Sequence, residues 1–217
     1  MRHKAEYSAF DSKRIIGKTF DRVAVDSLWP FKIKNSNGNV LLEIKTYEEG
    51  STLKRPEEIS AELLKHIKTY TEEYQGKILT DAVITIPSKF STEQKQATKT
   101  AAELAGWQKI HFLPEPVAAA FAYFSEMKIP NQSNIFICDC GGDICIAKVV
   151  NEQIVVLNFD NDSYLGGRDF DKVLFNHFNA ILKHKYNVEI KEGNKKYVLS
   201  QKCKDVKHNL SATLEDW

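Results

Sequence analysis

The chain has 217 residues, of which 42% are hydrophobic, so it is long enough for one large domain or two small lobes with a substantial core. Its 30 basic and 29 acidic side chains give a net charge of +1, which argues against a nucleic-acid partner or an acidic membrane surface. It has neither the run of roughly 18 apolar residues that a bilayer span requires nor a signal-peptide core behind Met1. We therefore expect a cytoplasmic protein that does not enter a membrane.

Hydrophobic periodicity, glycines and prolines divide the chain into alternating helices and strands. The helices are predicted over residues 10–18, 56–75, 92–105, 114–123, 168–186 and 194–210. The strands are predicted over residues 29–33, 40–47, 81–86, 109–113, 134–139, 144–150 and 153–159. The first two strands should form a ribbon around an Asn-Gly turn, and the last three an antiparallel unit. Residues 160–163 are predicted to be a loop.

The segment 130–134 is the most loop-like part of the middle of the chain. It suggests a boundary between a first lobe, residues 1–130, and a second lobe, residues 131–217. The first lobe would contain the ribbon and helices, followed by strand, helix, strand and helix. Cys138 and Cys140 have no second Cys/His cluster at a suitable spacing, so the sequence does not predict a zinc site.

Gly141 and Gly142 directly follow Asp139 at the end of an apolar strand. Since glycine has no Cβ, an anionic ligand could reach the backbone N–H groups of such a turn. An ordinary hairpin corner would have the same sequence, and the residues alone leave both interpretations open. A second Gly-Gly pair, Gly166 and Gly167, comes immediately before a predicted helix and is a second possible approach for phosphate.

Two charged residues are candidates with ordinary structural alternatives. Lys13, with Arg14 beside it, could belong to a solvated helix face. Glu115 lies in the first turn of a predicted helix, where an acid is favoured by the helix dipole and Pro116 by the geometry of the turn. On pattern alone, neither residue has to serve a ligand.

The order of seven short segments changes these interpretations, because together they resemble successive landmarks of the ATPase domain of 70-kDa heat shock proteins. The segments are residues 10–18, 29–31, 81–87, 96–99, 115–123, 139–142 and 165–171. The match is collinear over nearly the whole chain. The resemblance implies an α/β, actin-like ATPase (ribonuclease H-like) fold, with two lobes around a nucleotide cleft, incomplete at both ends. It implies ATP or ADP with Mg²⁺ as the cofactor.

The resemblance also implies roles for individual residues. Lys13 would position the attacking water or the γ-phosphate, which suits a cation facing developing negative charge. Glu115 and Asp139 would lie near Mg²⁺ and its waters, so that Lys13, Glu115 and Asp139 form the catalytic set and Glu115 and Asp139 the metal set. The positions implied for the nucleotide are Gly141, Gly142, Asp143, Ile144, Gly166 and Gly167.

Several residues depart from the family pattern. The family motif is Asp-Leu-Gly-Gly-Gly-Thr-Phe-Asp. At the corresponding positions this chain has Asp143 for the third glycine, Ile144 for the threonine and Ile146 for the last aspartate. Val117 replaces a threonine and Lys95 an arginine, which loses bidentate geometry. A carboxylate about 4 Å from a phosphate oxygen costs on the order of 4 kcal/mol at a dielectric constant of about 20, or roughly a thousandfold in affinity.

From these features we expect an Hsp70-like chaperone ATPase-domain protein with weak or absent hydrolysis. Its partners, by resemblance, are unfolded protein clients or co-chaperones. The alternative is a non-catalytic interaction module that binds no nucleotide. Asp143, Ile144 and Ile146 argue against turnover, whereas Lys13, Glu115 and Asp139 argue for a remaining site.

Overall fold

The computed structural model describes residues 5–48, 50–139, 141–162, 165–191 and 193–213. The helices are α1 (Ser12–Ile15), α2 (Pro56–Gln75), α3 (Thr92–Leu104), α4 (Glu115–Glu126), α5 (Gly167–Tyr186) and α6 (Asn194–Leu210). The strands are β1 (Lys32–Ser36), β2 (Asn39–Lys45), β3 (Ser51–Lys54), β4 (Asp81–Ile86), β5 (Lys109–Pro114), β6 (Asn134–Asp139), β7 (Asp143–Val150) and β8 (Gln153–Asn161). The class is α/β, as predicted.

The first sheet is antiparallel, in the order β1-β2-β3, and its inner face packs on α1. The core here consists of Ile15, Trp29, Phe31, Val40, Leu42 and Ile44. The predicted strand 29–33 begins only at Lys32, because Trp29 and Phe31 are buried ahead of it and stack on each other, with ring centroids 5.3 Å apart. Strand β3 was not predicted.

The predicted helix over residues 10–18 is shorter in the structure, since α1 has only four residues. The chain then turns at Gly17, which has a φ of 67°. A Cβ there would lie 2.5 Å from the Cα of Gln94, so only glycine allows this close contact with the start of α3. The Ser91 hydroxyl accepts a hydrogen bond from the Gln94 N–H at 3.3 Å, which confirms the predicted capping box.

Strands β4 and β5 pair in parallel, and α3 joins them. Buried alanines of α3 and Trp107 pack against Ala82, Ile84 and Ile110 on one side of this pair. Because both parallel strands end at the same edge, the segment after Ile86 and the start of α4 at Glu115 are neighbours. Glu115 is thereby brought close to the residues that follow β4.

The third sheet is antiparallel, in the order β6-β7-β8, and confirms the three-stranded unit predicted over residues 134–159. Its first turn places Asp139 opposite Asp143, and its second turn uses positive φ angles at Asn151 and Glu152. Helix α4 contacts all three strands on one face. The prediction that residues 160–163 form a loop is wrong for Asp160 and Asn161, which are the last residues of β8; Ser163 lies outside the described residues.

Helices α5 and α6 complete the described chain and pack against each other. Near their ends, the Lys207 ammonium donates to the Gly167 carbonyl at 2.7 Å and pairs with Asp171. Within the described ranges, no helix is both long and apolar enough to cross a membrane. The lobe boundary at 130–134 stays a prediction.

Candidate functional site

A cavity of about 420 Å³ lies where residues distant in sequence meet. One wall comes from α1 and the segment up to Trp29, a second from the segment after β4, and a third from the β6–β7 turn and the start of α5. The charged residues that line it are Lys13, Arg14, Lys18, Asp26, Lys89, Glu115, Asp143, Asp162, Arg168, Asp169 and Lys172. The lining is therefore rich in both signs of charge.

Lys13 and Glu115 are brought together in this cavity. The Lys13 ammonium forms an ion pair with Oε1 of Glu115, although 102 positions separate the two residues in sequence. The Lys13 side chain is 57% exposed and that of Glu115 is 21% exposed. The ammonium can thus leave the carboxylate at little cost, because exposed ion pairs contribute about 0–1 kcal/mol.

The β6–β7 turn uses its own backbone donors. The Gly141 N–H donates to Oδ1 of Asp139 at 2.8 Å, and the Gly142 N–H donates to the Asp139 carbonyl at 2.9 Å. Both N–H groups on which a phosphate was predicted to rest are therefore occupied within the turn. A phosphate could gain them only if the Asp139 carboxylate moved away from Gly141.

Gly142 is required by the neighbouring backbone. It has a φ of 107°, and its carbonyl accepts a hydrogen bond from the Asp162 N–H at 2.7 Å. A Cβ at this position would lie 2.2 Å from the Asp162 carbonyl oxygen, closer than any side chain can be. The turn thus packs directly on the backbone that follows β8, which explains the glycine without a ligand.

Asp143 is the buried charge of the site, with 6% of its surface exposed. Among the described residues its Oδ1 atom is buried and has no hydrogen-bond partner. Burial raises the pKa of Asp143, the charges of Glu115 and Asp139 raise it further, and Lys13 and a hydrogen bond from Asn161 oppose them. One carboxylate oxygen of each of Glu115, Asp139 and Asp143 lies within 4.8 Å of the other two. These three acids form the acidic cluster.

A basic region lies on another side of the same cavity. Burial lowers the pKa of Lys18, and the nearby charge of Arg14 lowers it further. Lys18 is therefore a partly desolvated cation beside a second positive charge, an arrangement that an anion would relieve. The basic region and the acidic cluster are the two electrostatic poles of the cleft.

Arg168 links distant segments beside the cavity. Its guanidinium forms ion pairs with Asp11 and, at 3.2 Å, with Asp26. Asp11 also accepts a hydrogen bond from the Trp29 indole N–H at 2.7 Å. On another side, Lys89 pairs with Asp160. These contacts connect the segment before β1 with α5, and the segment after β4 with β8.

The structure brings together some of the predicted site residues but not others. Lys13, Glu115, Gly141, Gly142 and Asp143 line the cavity, and Asp139 lies beside it in the acidic cluster. Ile144 lies on the face of β7 opposite to Asp143 and is 41% exposed, and Gly166 and Gly167 are not among the lining residues. The next residues along the chain, Arg168 and Asp169, reach the cavity instead.

Sequence reasoning missed Asp11, Asp26 and Arg168. Arg168 is 157 positions from Asp11, and no local pattern in a single sequence predicts such a pair. The structure gives Asp11 a φ of 62° just before α1, and the sequence signal for such a turn is only the residue type. Aspartate is one of the few residues that adopt this conformation readily.

The residues present fit a hydrated Mg²⁺ ion better than they fit a phosphate. Three carboxylates, one of them with an unpartnered buried oxygen, are the ligands that hard divalent cations prefer. For a phosphate, Lys13 and the basic region supply cations, but the two N–H groups of the β6–β7 turn are occupied and Asp143 adds a negative charge. The donor set therefore suits the metal and only partly suits the nucleotide.

The sequence profile of the family described as Hsp70 protein matches residues 2–216. The chain is 35% identical over 212 residues to a heat shock cognate HSP70 protein of Trypanosoma brucei brucei, covering 93% of this chain and 31% of that protein. It is 36% identical over 192 residues to a ribosome-associated molecular chaperone of Saccharomyces cerevisiae, covering 85% and 31%. It is 33% identical over 215 residues to a heat shock 70 kDa protein of Emericella nidulans, covering 96% and 33%. The chain thus spans about a third of these curated relatives.

Proposed function

This chain belongs to the Hsp70 family, and we propose that it is a divergent form of the family's ATPase domain. Its two lobes would enclose a cleft that binds Mg·ATP or Mg·ADP weakly, with little or no hydrolysis. The ancestral role would be ATP-dependent protein folding in the cytoplasm, with unfolded proteins or co-chaperones as partners. The contact between Lys13 and Glu115, a member of the acidic cluster, supports a surviving site.

Each retained residue has a role in this proposal. Glu115 and Asp139 would hold the waters of Mg²⁺, whose chemistry is to neutralise phosphate charge. Lys13 would exchange its contact with Glu115 for a phosphate oxygen or the attacking water. Arg14 and Lys18 would supply positive charge further along the cavity. Arg168, through Asp11 and Asp26, would hold the walls of the cleft together.

The single observation that carries the prediction of weak binding is the position of Asp143. Its carboxylate is buried within 4.8 Å of both other acids, in the turn that a phosphate would have to approach. Repulsion between two charges about 4 Å apart costs on the order of 4 kcal/mol at a dielectric constant of about 20. That energy corresponds to roughly a thousandfold loss of affinity.

Calorimetric titration with Mg·ATP tests the proposal. The unmodified chain should bind more weakly than micromolar, and Asp143→Gly and Asp143→Asn should each bind up to about a thousandfold more tightly. Ile144→Thr is the matched control, because it changes the adjacent residue on the opposite face of β7 and should leave the affinity unchanged. Phosphate release by the unmodified chain should remain at the background rate.

Micromolar binding by the unmodified chain would show that Asp143 does not disable the cleft. If the unmodified chain and both Asp143 variants all fail to bind, the nucleotide proposal is wrong. The second candidate, a non-catalytic interaction module, would then stand. It is favoured by the exposed apolar side chains Phe136, Ile144 and Ile146 on the face of the third sheet that α4 does not cover.

A further inference from the structure

The spacing of the acidic cluster suits a cation bound directly by side chains. One oxygen from each of Glu115, Asp139 and Asp143 lies within 4.8 Å of the other two. Oxygens bound to Ca²⁺ lie about 2.3–2.6 Å from the ion, so two ligands on opposite sides are about 5 Å apart. Mg²⁺ has shorter bonds and would need water between some of these oxygens and the ion. The cluster is therefore closed enough for one divalent ion.

Asp143 gives an independent reason to expect a ligand. Its side chain is 94% buried, since 6% is exposed, and its Oδ1 atom has no hydrogen-bond partner among the described residues. Leaving a buried polar atom unsatisfied costs about 1–3 kcal/mol, and more for a charged group. A bound cation would supply the missing partner.

The surrounding cations do not neutralise the cluster. Of the basic side chains that line the cavity, Lys13 contacts the cluster through Glu115, whereas Lys89 pairs with Asp160 and Arg168 with Asp11 and Asp26. Arg14, Lys18 and Lys172 also line the cavity, and among the described residues no ion pair joins them to the three acids. Three carboxylates against the one ammonium of Lys13 leave two negative charges in excess. A divalent cation balances them.

The backbone holds two of the three acids in place. Asp139 is the last residue of β6 and Asp143 is the first residue of β7, and the two are paired across the strands on either side of the turn. The Gly141 N–H donates to one carboxylate oxygen of Asp139 and leaves the other oxygen for a metal. Glu115 is fixed at the start of α4, and Lys13 engages only its Oε1 atom.

We infer that Glu115, Asp139 and Asp143 form a direct binding site for a hard divalent cation, Ca²⁺ or Mg²⁺, that fills without nucleotide. Asp143 stands at a glycine position of the family motif, so the site is a property of this chain's own residues. The inference does not depend on nucleotide binding. With the cation in place the cluster is neutral, and it offers no excess positive charge to a phosphate.

The test uses the whole 217-residue chain, freed of metal with a chelator and dialysed, with no nucleotide present. CaCl₂ and MgCl₂ are titrated separately by calorimetry, and Tm is followed in parallel. We expect saturable binding of one ion per chain and a rise in Tm with cation concentration. Ca²⁺ should bind more tightly than Mg²⁺, because the spacing of the three oxygens suits direct coordination by the larger ion. Tighter binding of Mg²⁺ would contradict direct coordination by all three side chains.

Variants assign the site to its residues. Asp143→Asn and Asp139→Asn should each weaken cation binding by about tenfold or more, because each removes a ligand charge. Asp162→Asn is the control, an acid of the same cavity outside the cluster. Lys13→Met should tighten binding, because the ammonium and the cation compete for Glu115. Since Asp139 is exposed, its variant remains informative if Asp143→Asn fails to fold.

The inference is overturned if neither ion gives saturable heat or a Tm shift at millimolar concentration. It is equally overturned if the folded Asp143→Asn or Asp139→Asn variant binds as tightly as the unmodified chain. Cation binding without ATP binding would support this site and contradict the proposed nucleotide function. ATP binding to a chain that binds no cation in the absence of nucleotide would support the proposed nucleotide function and contradict this cation site.

Discussion

The two Gly-Gly turns of this chain, at residues 141–142 and 166–167, have similar local sequences and different tertiary roles. The first turn lies in the cavity wall, packs on the Asp162 backbone and holds the acidic cluster. The second begins α5, accepts a hydrogen bond from Lys207 at Gly167 and leads into Arg168, which pairs with two aspartates. The first turn lies between two carboxylates, Asp139 and Asp143, whereas the second is followed by a cation, Arg168. Identical dipeptides therefore do not imply identical ligands.

Gly142→Ala should have the largest effect on stability. It combines an unfavourable positive φ with a Cβ 2.2 Å from the Asp162 carbonyl oxygen, so that the backbone after β8 must move. We expect a loss of about 3 kcal/mol in the free energy of unfolding, measured by urea denaturation.

Gly141→Ala is the matched control for that prediction. Its Cβ would meet only the Asp139 carboxylate, at 3.2 Å, and a side chain can move aside more easily than a backbone carbonyl. A smaller loss of stability is expected. Equal losses for the two variants would show that the contact with Asp162 is not what requires glycine at 142.

Arg168→Ala should have an intermediate effect. It leaves Asp11 and Asp26 without their shared cation in a partly buried position, and hydrogen bonds to charged groups contribute about 1.5–3 kcal/mol. We expect a loss of about 2 kcal/mol in unfolding free energy, with faster amide exchange near Trp29, whose indole donates to Asp11.

Arg168→Lys separates charge from geometry at the same position. Lysine keeps the charge but cannot span both carboxylates with a planar fork, so it should recover only part of the stability. Full recovery by lysine would mean that charge alone matters. If Arg168→Ala does not lower the unfolding free energy, the ion pairs of Arg168 with Asp11 and Asp26 do not stabilise the contact between these segments.

Gly167→Ala should have the smallest effect. The added Cβ meets only the flexible end of Lys207, at 3.3 Å, and the position is the first of a helix, where alanine is favourable. The unfolding free energy should change by no more than about 0.5 kcal/mol. A loss as large as that of Gly142→Ala would mean that both turns are constrained alike.

Local chemistry made much of the fold predictable. Helix α2 follows from apolar periodicity between Pro56 and Gly76, and α3 from the capping pair Ser91 and Gln94. Predictions failed where a tertiary contact replaced local preference. Trp29 and Phe31 lie ahead of β1 because their side chains are buried in the core of the first sheet. Asp160 belongs to β8 because it pairs with Ile144 of β7.

The candidate site was predictable only in its parts. Lys13, Glu115 and Asp139 were predicted through the order of the segments that resemble the Hsp70 ATPase domain. The structure places Lys13 and Glu115 in the lining of the cavity and Asp139 beside it, in the acidic cluster. Ile144 was predicted to belong to the site, yet strand alternation turns it to the opposite face from Asp143. That Arg168 joins Asp11 and Asp26 could not be predicted, because no period connects residues so far apart.

The sequence by itself determined the family, the α/β class, most helix and strand positions and the presence of Asp143 in the glycine turn, since each depends on residue order or local periodicity. Only the tertiary structure decided what that turn does. Its N–H groups are taken by Asp139, its second glycine is pressed against Asp162, and Asp143 is buried between two other acids. The burial of Asp143 and its distance from other charges arise when distant segments pack, and these two factors determine how costly its negative charge is. The sequence shows only that an aspartate is present.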